Sequence, residues 1–272
     1  MTADPGVERI AEGFARARAD GRRAALMPYL MGGYPDPEAS RAIGLAYADA
    51  GADLIELGVP FSDPLADGPV VHAAATAALR AGATLSSVLD VAGTIVQRVP
   101  VVVMCYANPI LARGVDRFLD DLVAVAVSGL IVPDLPLEEA SELRDGCAAR
   151  GLALVSLVAP TTPDERMARI GAAATGFVYA VSVTGTTGER AALDGMVGPL
   201  ISRIRARTSV PVAVGFGIST PEQAAAAAAA GADGVIVGSR LVRAAGEGVD
   251  PAAAAGELVR ALSVALSGAS LG

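Results

Sequence analysis

The sequence predicts an α/β fold in which eight parallel strands and their helices close into a (β/α)8 barrel, with an added N-terminal helix. Three observations predict it. Short, often Val-rich apolar runs recur along the chain, near-continuous rather than alternating, as strands buried on both faces are. Amphipathic stretches with helix-start chemistry lie between them. Eight such runs in 272 residues match a barrel in number and length, and no linker divides the chain, so 1–272 reads as one domain. A doubly wound open sheet is the rival arrangement of the same units.

The opening segment, MTADPGVERIAEGFARARADGRRA, reads as an amphipathic helix with Val7, Ile10 and Phe14 on one face. It lacks the apolar centre of a secretory signal. No apolar run is long enough to span a bilayer, so no membrane association and a cytoplasmic location are expected. Strands are expected at 24–31, 53–58, 99–106, 129–134, 152–159, 176–182, 210–216 and 233–239. Helices are expected in DPEASRAIGLAYADAGA (36–52), LEEASELRDGCAARG (137–151), TPDERMARIG (162–171) and TPEQAAAAAAAGA (220–232). Asp, Thr or Pro at their starts and acids in their first turns suit N-caps and the helix dipole. Several end in Gly, as C-caps do. The alanine run 224–230 is read as helix with small side chains. AGADLIELG (50–58) and AGADGVIVG (230–238) echo each other as a weak internal repeat of the βα unit. The tail SGASLG is expected to fray.

Composition excludes several chemistries. The net charge is −8, and no basic stripe is interleaved with aromatics, which argues against nucleic acid as a partner. All 21 basic residues are Arg. Without lysine there is no Schiff base and no covalently held pyridoxal phosphate on this chain. One histidine, His72, and two separated cysteines, Cys105 and Cys147, argue against a dedicated metal site. The cysteines read as buried free thiols. Carboxylates, hydroxyls, backbone donors and arginine remain to carry any chemistry.

Barrel sites lie where strands end and βα loops begin, and four features fall there. ELGVPFSDPLADGP (56–69) holds Glu56, Asp63 and Asp67 in a Pro-stiffened loop. Glu56 sits in an apolar strand, where a carboxylate is costly unless paired or working. If it points into the barrel mouth, desolvation raises its pKa and suits it to proton transfer. The alternative is a structural ion pair with an Arg. Asp67 is a second acid candidate or a D-G turn residue, and Asp63 reads more simply as a loop cap. GFGIS (215–219) and VGSR (237–240) bring Gly217, Gly238 and Ser239 after strands seven and eight, the usual barrel phosphate position. YAVSVTGTTGER (179–190) reads as a loop able to close over a ligand. His72 reads as a surface or helix-start residue.

These motifs, with VPDLPLEE (132–139), resemble the tryptophan synthase alpha chain family over essentially the whole sequence. The resemblance implies a TIM barrel that cleaves indole-3-glycerol phosphate to indole and glyceraldehyde 3-phosphate. It implies an αββα heterotetramer in which indole passes to a beta chain that carries the pyridoxal phosphate, and no cofactor on this chain. By position in the motif, Glu56 matches the general acid/base, and Asp67 the carboxylate that bonds the indole N–H. Tyr179 matches a tyrosine beside the glycerol moiety, and Thr187 a loop threonine that bonds the second carboxylate. Gly188, Gly217, Gly238 and Ser239, with Phe216 nearby, match the phosphate site. Tyr29 and Met104 match the indole pocket. Pro60, Asp63, Pro64, Asn108 and Asp134 match the partner interface. The chain departs from the commoner pattern at Met31 and Gly32, at His72 where Gln is frequent, and at Pro133 and Val183. Competing readings are a stand-alone lyase, a non-catalytic activating subunit and another phosphate-binding barrel enzyme such as an isomerase.

Overall fold

The structure is a computed structural model that describes residues 6–181, 190–215, 217–247 and 249–267, and of 190–196 the backbone alone. Its strands are β1 (Ala25–Met31), β2 (Ile55–Gly58), β3 (Val101–Met104), β4 (Gly129–Ile131), β5 (Ala153–Val158), β6 (Val178–Val181), β7 (Val212–Gly215) and β8 (Gly234–Val237). The helices are α1 (Gly6–Ala19), α2 (Pro37–Asp49), α3 (Pro69–Arg80), α4 (Leu85–Ile95), α5 (Ala107–Arg113) and α6 (Val115–Ala124). They continue with α7 (Ser141–Ala149), α8 (Asp164–Ala173), α9 (Arg190–Arg205), α10 (Pro221–Ala229), α11 (Ser239–Glu247) and α12 (Pro251–Leu266). Every neighbouring pair of strands is parallel, and β1 pairs with both β2 and β8, so the sheet closes on itself. Closure excludes the open doubly wound sheet. Among the described residues no helix is long and apolar enough to cross a membrane.

All eight expected strands are present, each shorter than its apolar run. The run 99–106 yields only Val101–Met104 as strand, because the flanking residues leave the ladder to enter loops. Helix starts depart more. The stretch expected to be helical from residue 137 begins at Ser141, with Ala140 at its N-cap and no side-chain cap. Pro163 precedes α8 without a capping bond. Thr220 and Gln223, by contrast, form a reciprocal capping box on α10, and Asp36 caps α2 by accepting from the Ala39 N–H at 2.9 Å. Past α2 and α10, Gly51 and Gly231 turn the chain at φ +101° each, a conformation that glycine adopts without penalty.

The core has two layers. Strand residues facing outward, such as Leu26, Ile55 and Val103, pack under the helices. Residues facing inward, such as Met27, Leu54 and Val102, fill the barrel itself. The N-terminal helix closes the barrel's lower end: Ile10 and Phe14, one turn apart, are fully buried there, and Phe14 meets Phe177 at 6.0 Å between ring centroids. Burying side chains of this size contributes about 2 kcal/mol each. With the bottom plugged by apolar residues, only the upper mouth is open for chemistry.

Candidate active site

Period-two alternation along β2 decides where Glu56 points. Ile55 and Leu57 face the outer helices, while Leu54 faces the barrel interior. Glu56 therefore faces inward, one pleat above Leu54, where the barrel opens. It is only 2 % exposed, and its Oε2 is buried without a hydrogen-bond partner among the described residues. Among the described residues no arginine pairs with it, so the structural ion pair is set aside. Burial, reinforced by the nearby Asp67 carboxylate, pushes its carboxyl up to about 8. Near neutral pH such a group holds a proton that it can give and take back.

Two tyrosines flank this carboxyl, one from the adjacent strand β1 and one from β6 across the barrel. Tyr29 pairs in register with Glu56 across β1 and β2, and Tyr179 lies on β6 at the inward position above Phe177. Both phenols are held well above their ordinary pKa, chiefly by burial, and Glu56 adds to the shift in each. Glycines make room for the rings. A side chain at Gly58 would overlap the Tyr29 ring, and a Cβ at Gly215 would sit 2.6 Å from the Tyr179 hydroxyl. Tyr29, Met31 and partly buried Met104 share one apolar cluster at the mouth, which suits a flat aromatic substrate.

Asp67 reaches the site from the loop between β2 and α3. Burial raises its carboxyl, while the Tyr106 hydroxyl and His72 beside it pull the other way. Tyr106, at the end of β3, accepts a hydrogen bond from the Ala66 N–H at 3.0 Å, and its ring packs on Phe61 at 5.3 Å. Sequence reasoning missed Tyr106. The only local signal is a tyrosine at a strand end in MCYAN, which does not reveal that a loop forty residues earlier lies on it. His72 is exposed in the first turn of α3, as expected.

The remaining expected residues divide. Gly217 has a φ of +62° and is exposed after β7, while Gly238 and Ser239 open α11 after the neighbouring strand β8. The N-terminus of α11 offers backbone N–H groups to an anion, and Gly238 lies against Tyr29, with a would-be Cβ 3.7 Å from the Tyr29 Cβ. Thr187, Gly188 and Phe216 lie outside the described residues. Asp63 and Asn108 are exposed and Pro64 half-buried. Asp134 is exposed and accepts from the Ala107 N–H at 2.9 Å, which caps α5. Pro60 is buried within this chain, and the exposed surface of the loop begins at Ser62. Leu65, 87 % exposed, and Leu111, 65 % exposed, stand out on that same end. Both cysteines are buried free thiols, pushed up to about 12 by burial.

Comparison with known proteins identifies the family and the fold. A family model described as tryptophan synthase alpha chain matches residues 14–265. The chain is 51 % identical over 238 residues to a tryptophan synthase alpha chain of Prochlorococcus marinus (strain MIT 9313), covering 86 % of each chain. It is 52 % identical over 237 residues to that of Synechococcus elongatus, covering 86 % of this chain and 88 % of the relative. Among solved structures, tryptophan synthase of Mycobacterium tuberculosis superposes with a TM-score of 0.88 at 41 % identity, covering 95 % of this chain and 98 % of that one. The alpha chain of Legionella pneumophila superposes with a TM-score of 0.86 at 34 % identity, over 97 % and 99 %.

Proposed function

The chain belongs to the tryptophan synthase alpha chain family, and from that premise we propose how its two carboxylates divide the work. The family's reaction, a carbon–carbon lyase step of tryptophan biosynthesis, is cleavage of indole-3-glycerol phosphate to indole and glyceraldehyde 3-phosphate.

Glu56, protonated near neutral pH because burial holds its carboxyl at about 8, gives its proton to indole C3. The ring nitrogen takes up positive charge, and Asp67 accepts a hydrogen bond from that N–H and stabilises it. The ring is now an electron sink. Glu56, left as a carboxylate, takes the proton of the C3′ hydroxyl while the C3–C3′ bond breaks. The bond's electrons return to the ring, indole and the aldehyde separate, and Glu56 ends protonated as it began. Neither lysine nor metal enters this sequence. Tyr179 borders the glycerol moiety and Glu56, Tyr29 and Met104 border the indole, and Gly217, Gly238 and Ser239 hold the phosphate. The observation that carries this reading is a buried, inward-facing Glu56 whose Oε2 has no hydrogen-bond partner among the described residues, with a second carboxylate beside it.

The whole chain, 1–272, acts as one barrel domain in the cytoplasm, in an αββα heterotetramer with a beta chain that holds pyridoxal phosphate and receives the indole. Exposed Leu65 and Leu111, with Asp63, Pro64, Asn108 and Asp134, support the mouth of the barrel as the partner-facing end. The test is indole release from indole-3-glycerol phosphate by the purified chain, with and without the cognate beta chain. Slow release that rises steeply on adding the beta chain is expected. Equally fast release by the chain alone identifies a stand-alone lyase. No release under either condition leaves an activating subunit.

A further inference from the structure

We propose that Tyr106 is a positioning residue for Asp67, a hydroxyl latch that ties the acidic loop to the β3–α5 corner. The proposal rests on the catalytic role given to Asp67 above and adds a residue which neither the motif nor the family match singled out.

Three contacts converge on this one buried side chain. Tyr106 is 4 % exposed, so its ring is held rather than free to swing. Its ring packs on Phe61, in the outgoing arm of the loop, at 5.3 Å and an interplanar angle of 30°. Its hydroxyl oxygen accepts from the Ala66 N–H at 3.0 Å, in the returning arm. With its acceptor side so used, the hydroxyl hydrogen is left for the Asp67 carboxylate beside it. The loop is thus gripped on both arms, immediately next to the acid that it delivers.

The latch also has a base. Tyr106 is the residue before α5, and the first N–H of that helix, Ala107, is capped by Asp134. Helix α5 carries exposed Asn108 and Leu111. Any load placed on α5 from outside is therefore one residue from the hydroxyl that orients Asp67. Without the latch, the ties left to the loop between Val59 and Gly68 among the described residues are the Val59 N–H to the Met104 carbonyl at 2.8 Å, the His72 N–H to the Gly68 carbonyl at 3.0 Å, and the Ser62–Asp63 contact within the loop itself.

The groups that face Asp67 among the described residues are Glu56 from β2, Tyr29 from β1, Tyr106 from β3 and His72 from α3. Of these, Glu56 and Tyr29 disfavour its charge or are disfavoured by it, and only Tyr106 and His72 favour the carboxylate. Removing the Tyr106 donor therefore makes Asp67 harder to ionise, and the acid limb of the pH–rate profile moves to higher pH.

The experiment is Tyr106→Phe, which keeps the ring on Phe61 and removes the hydroxyl. It is assayed as the full chain with its cognate beta chain, with the melting temperature measured to show that the fold is kept. The expected result is a fall in kcat of about tenfold, little change in KM, and an acid limb displaced upward by a measurable fraction of a pH unit. In an Asp67→Asn background the same change should cost nothing further, because the group it positions is gone. Wild-type kcat with an unmoved acid limb overturns the latch. Normal turnover by Asp67→Asn alone overturns instead the role given to Asp67, and the two failures are told apart by which variant shows them.

Discussion

Asp53 and Glu56 lie three residues apart, just below and within strand β2, and both are buried, at 1 % and 2 % exposure. Their surroundings are opposite. At the bottom of the barrel, Asp53 accepts from the Leu26 N–H at 2.8 Å and pairs with Arg22 at 2.5 Å. Burial still pushes its carboxyl up to about 6, with the Leu26 N–H and Arg22 pulling it back, so it is ionised at neutral pH. At the top, Glu56 has an oxygen with no partner among the described residues, and its carboxyl reaches about 8. The same residue class at the same depth serves stability where its bonds are completed and, in the function proposed above, chemistry where they are left open. The echo AGAD repeats the lower device. Asp233, at the foot of β8, accepts from the Val212 N–H and pairs with Arg205, both at 2.9 Å. Each aspartate joins the start of its own strand to the start of the strand before it.

Substituting each acid in turn tests this contrast between the two ends. The largest effect is expected at Glu56. Glu56→Gln should lower indole release by about 10²–10⁴-fold, the usual worth of a positioned acid–base group, while the protein becomes more stable. The sign follows from linkage. The folded pKa of Glu56 is raised from 4.5 to about 8, so its contribution to stability is full below the unfolded pKa and is lost as pH rises through about 8. A neutral amide escapes that loss, so the gain in melting temperature should be largest above pH 8. A variant with near-normal turnover, or one destabilised at high pH, breaks the contrast. In the wild-type protein the same carboxyl should make kcat fall as pH rises through about 8, and a profile flat from pH 7 to 10 removes Glu56 as the acid.

The lower end should respond in the reverse sense. Asp53→Asn leaves Arg22, whose side chain is 8 % exposed, without its buried counter-ion. The loss should be about 3 kcal/mol in denaturant titration, with kcat within twofold of wild type wherever the protein is folded. A large loss of kcat in the folded variant would mean that the two ends are coupled. The smallest effect is expected at Asp233, whose partner Arg205 is 53 % exposed and screened by solvent. Asp233→Asn should cost about 1 kcal/mol, which sharpens the comparison by showing that burial of the pair, rather than its place in the repeat, sets its worth.

Much of the architecture was legible because its causes are local. Buried parallel strands announce themselves as apolar runs, and Asp36 and Thr220 announce helix starts through a side chain that reaches three residues along. Where the start carries no such signal, as at Ala140, the expected boundary was four residues early. In the site, the residues read from the acidic loop were legible through their cost: a glutamate inside LIELG demands an explanation. Tyr106 was not legible, because its hydroxyl acts on residues that the chain brings to it only after closing a barrel.

The sequence by itself determined the class of fold, the absence of lysine chemistry and the short stretch that holds the two carboxylates proposed to work. Each of these follows from composition or from patterns only a few residues long, and period-two alternation even places Glu56 on the face opposite Ile55 and Leu57. Only the tertiary structure decided that this face is the barrel's interior, that no arginine among the described residues meets the carboxyl there, and that Tyr106 stands against the loop carrying Asp67. Desolvation depends on how much protein surrounds a charge from every direction, and strands far apart in the chain supply that surrounding here. No window of sequence contains it.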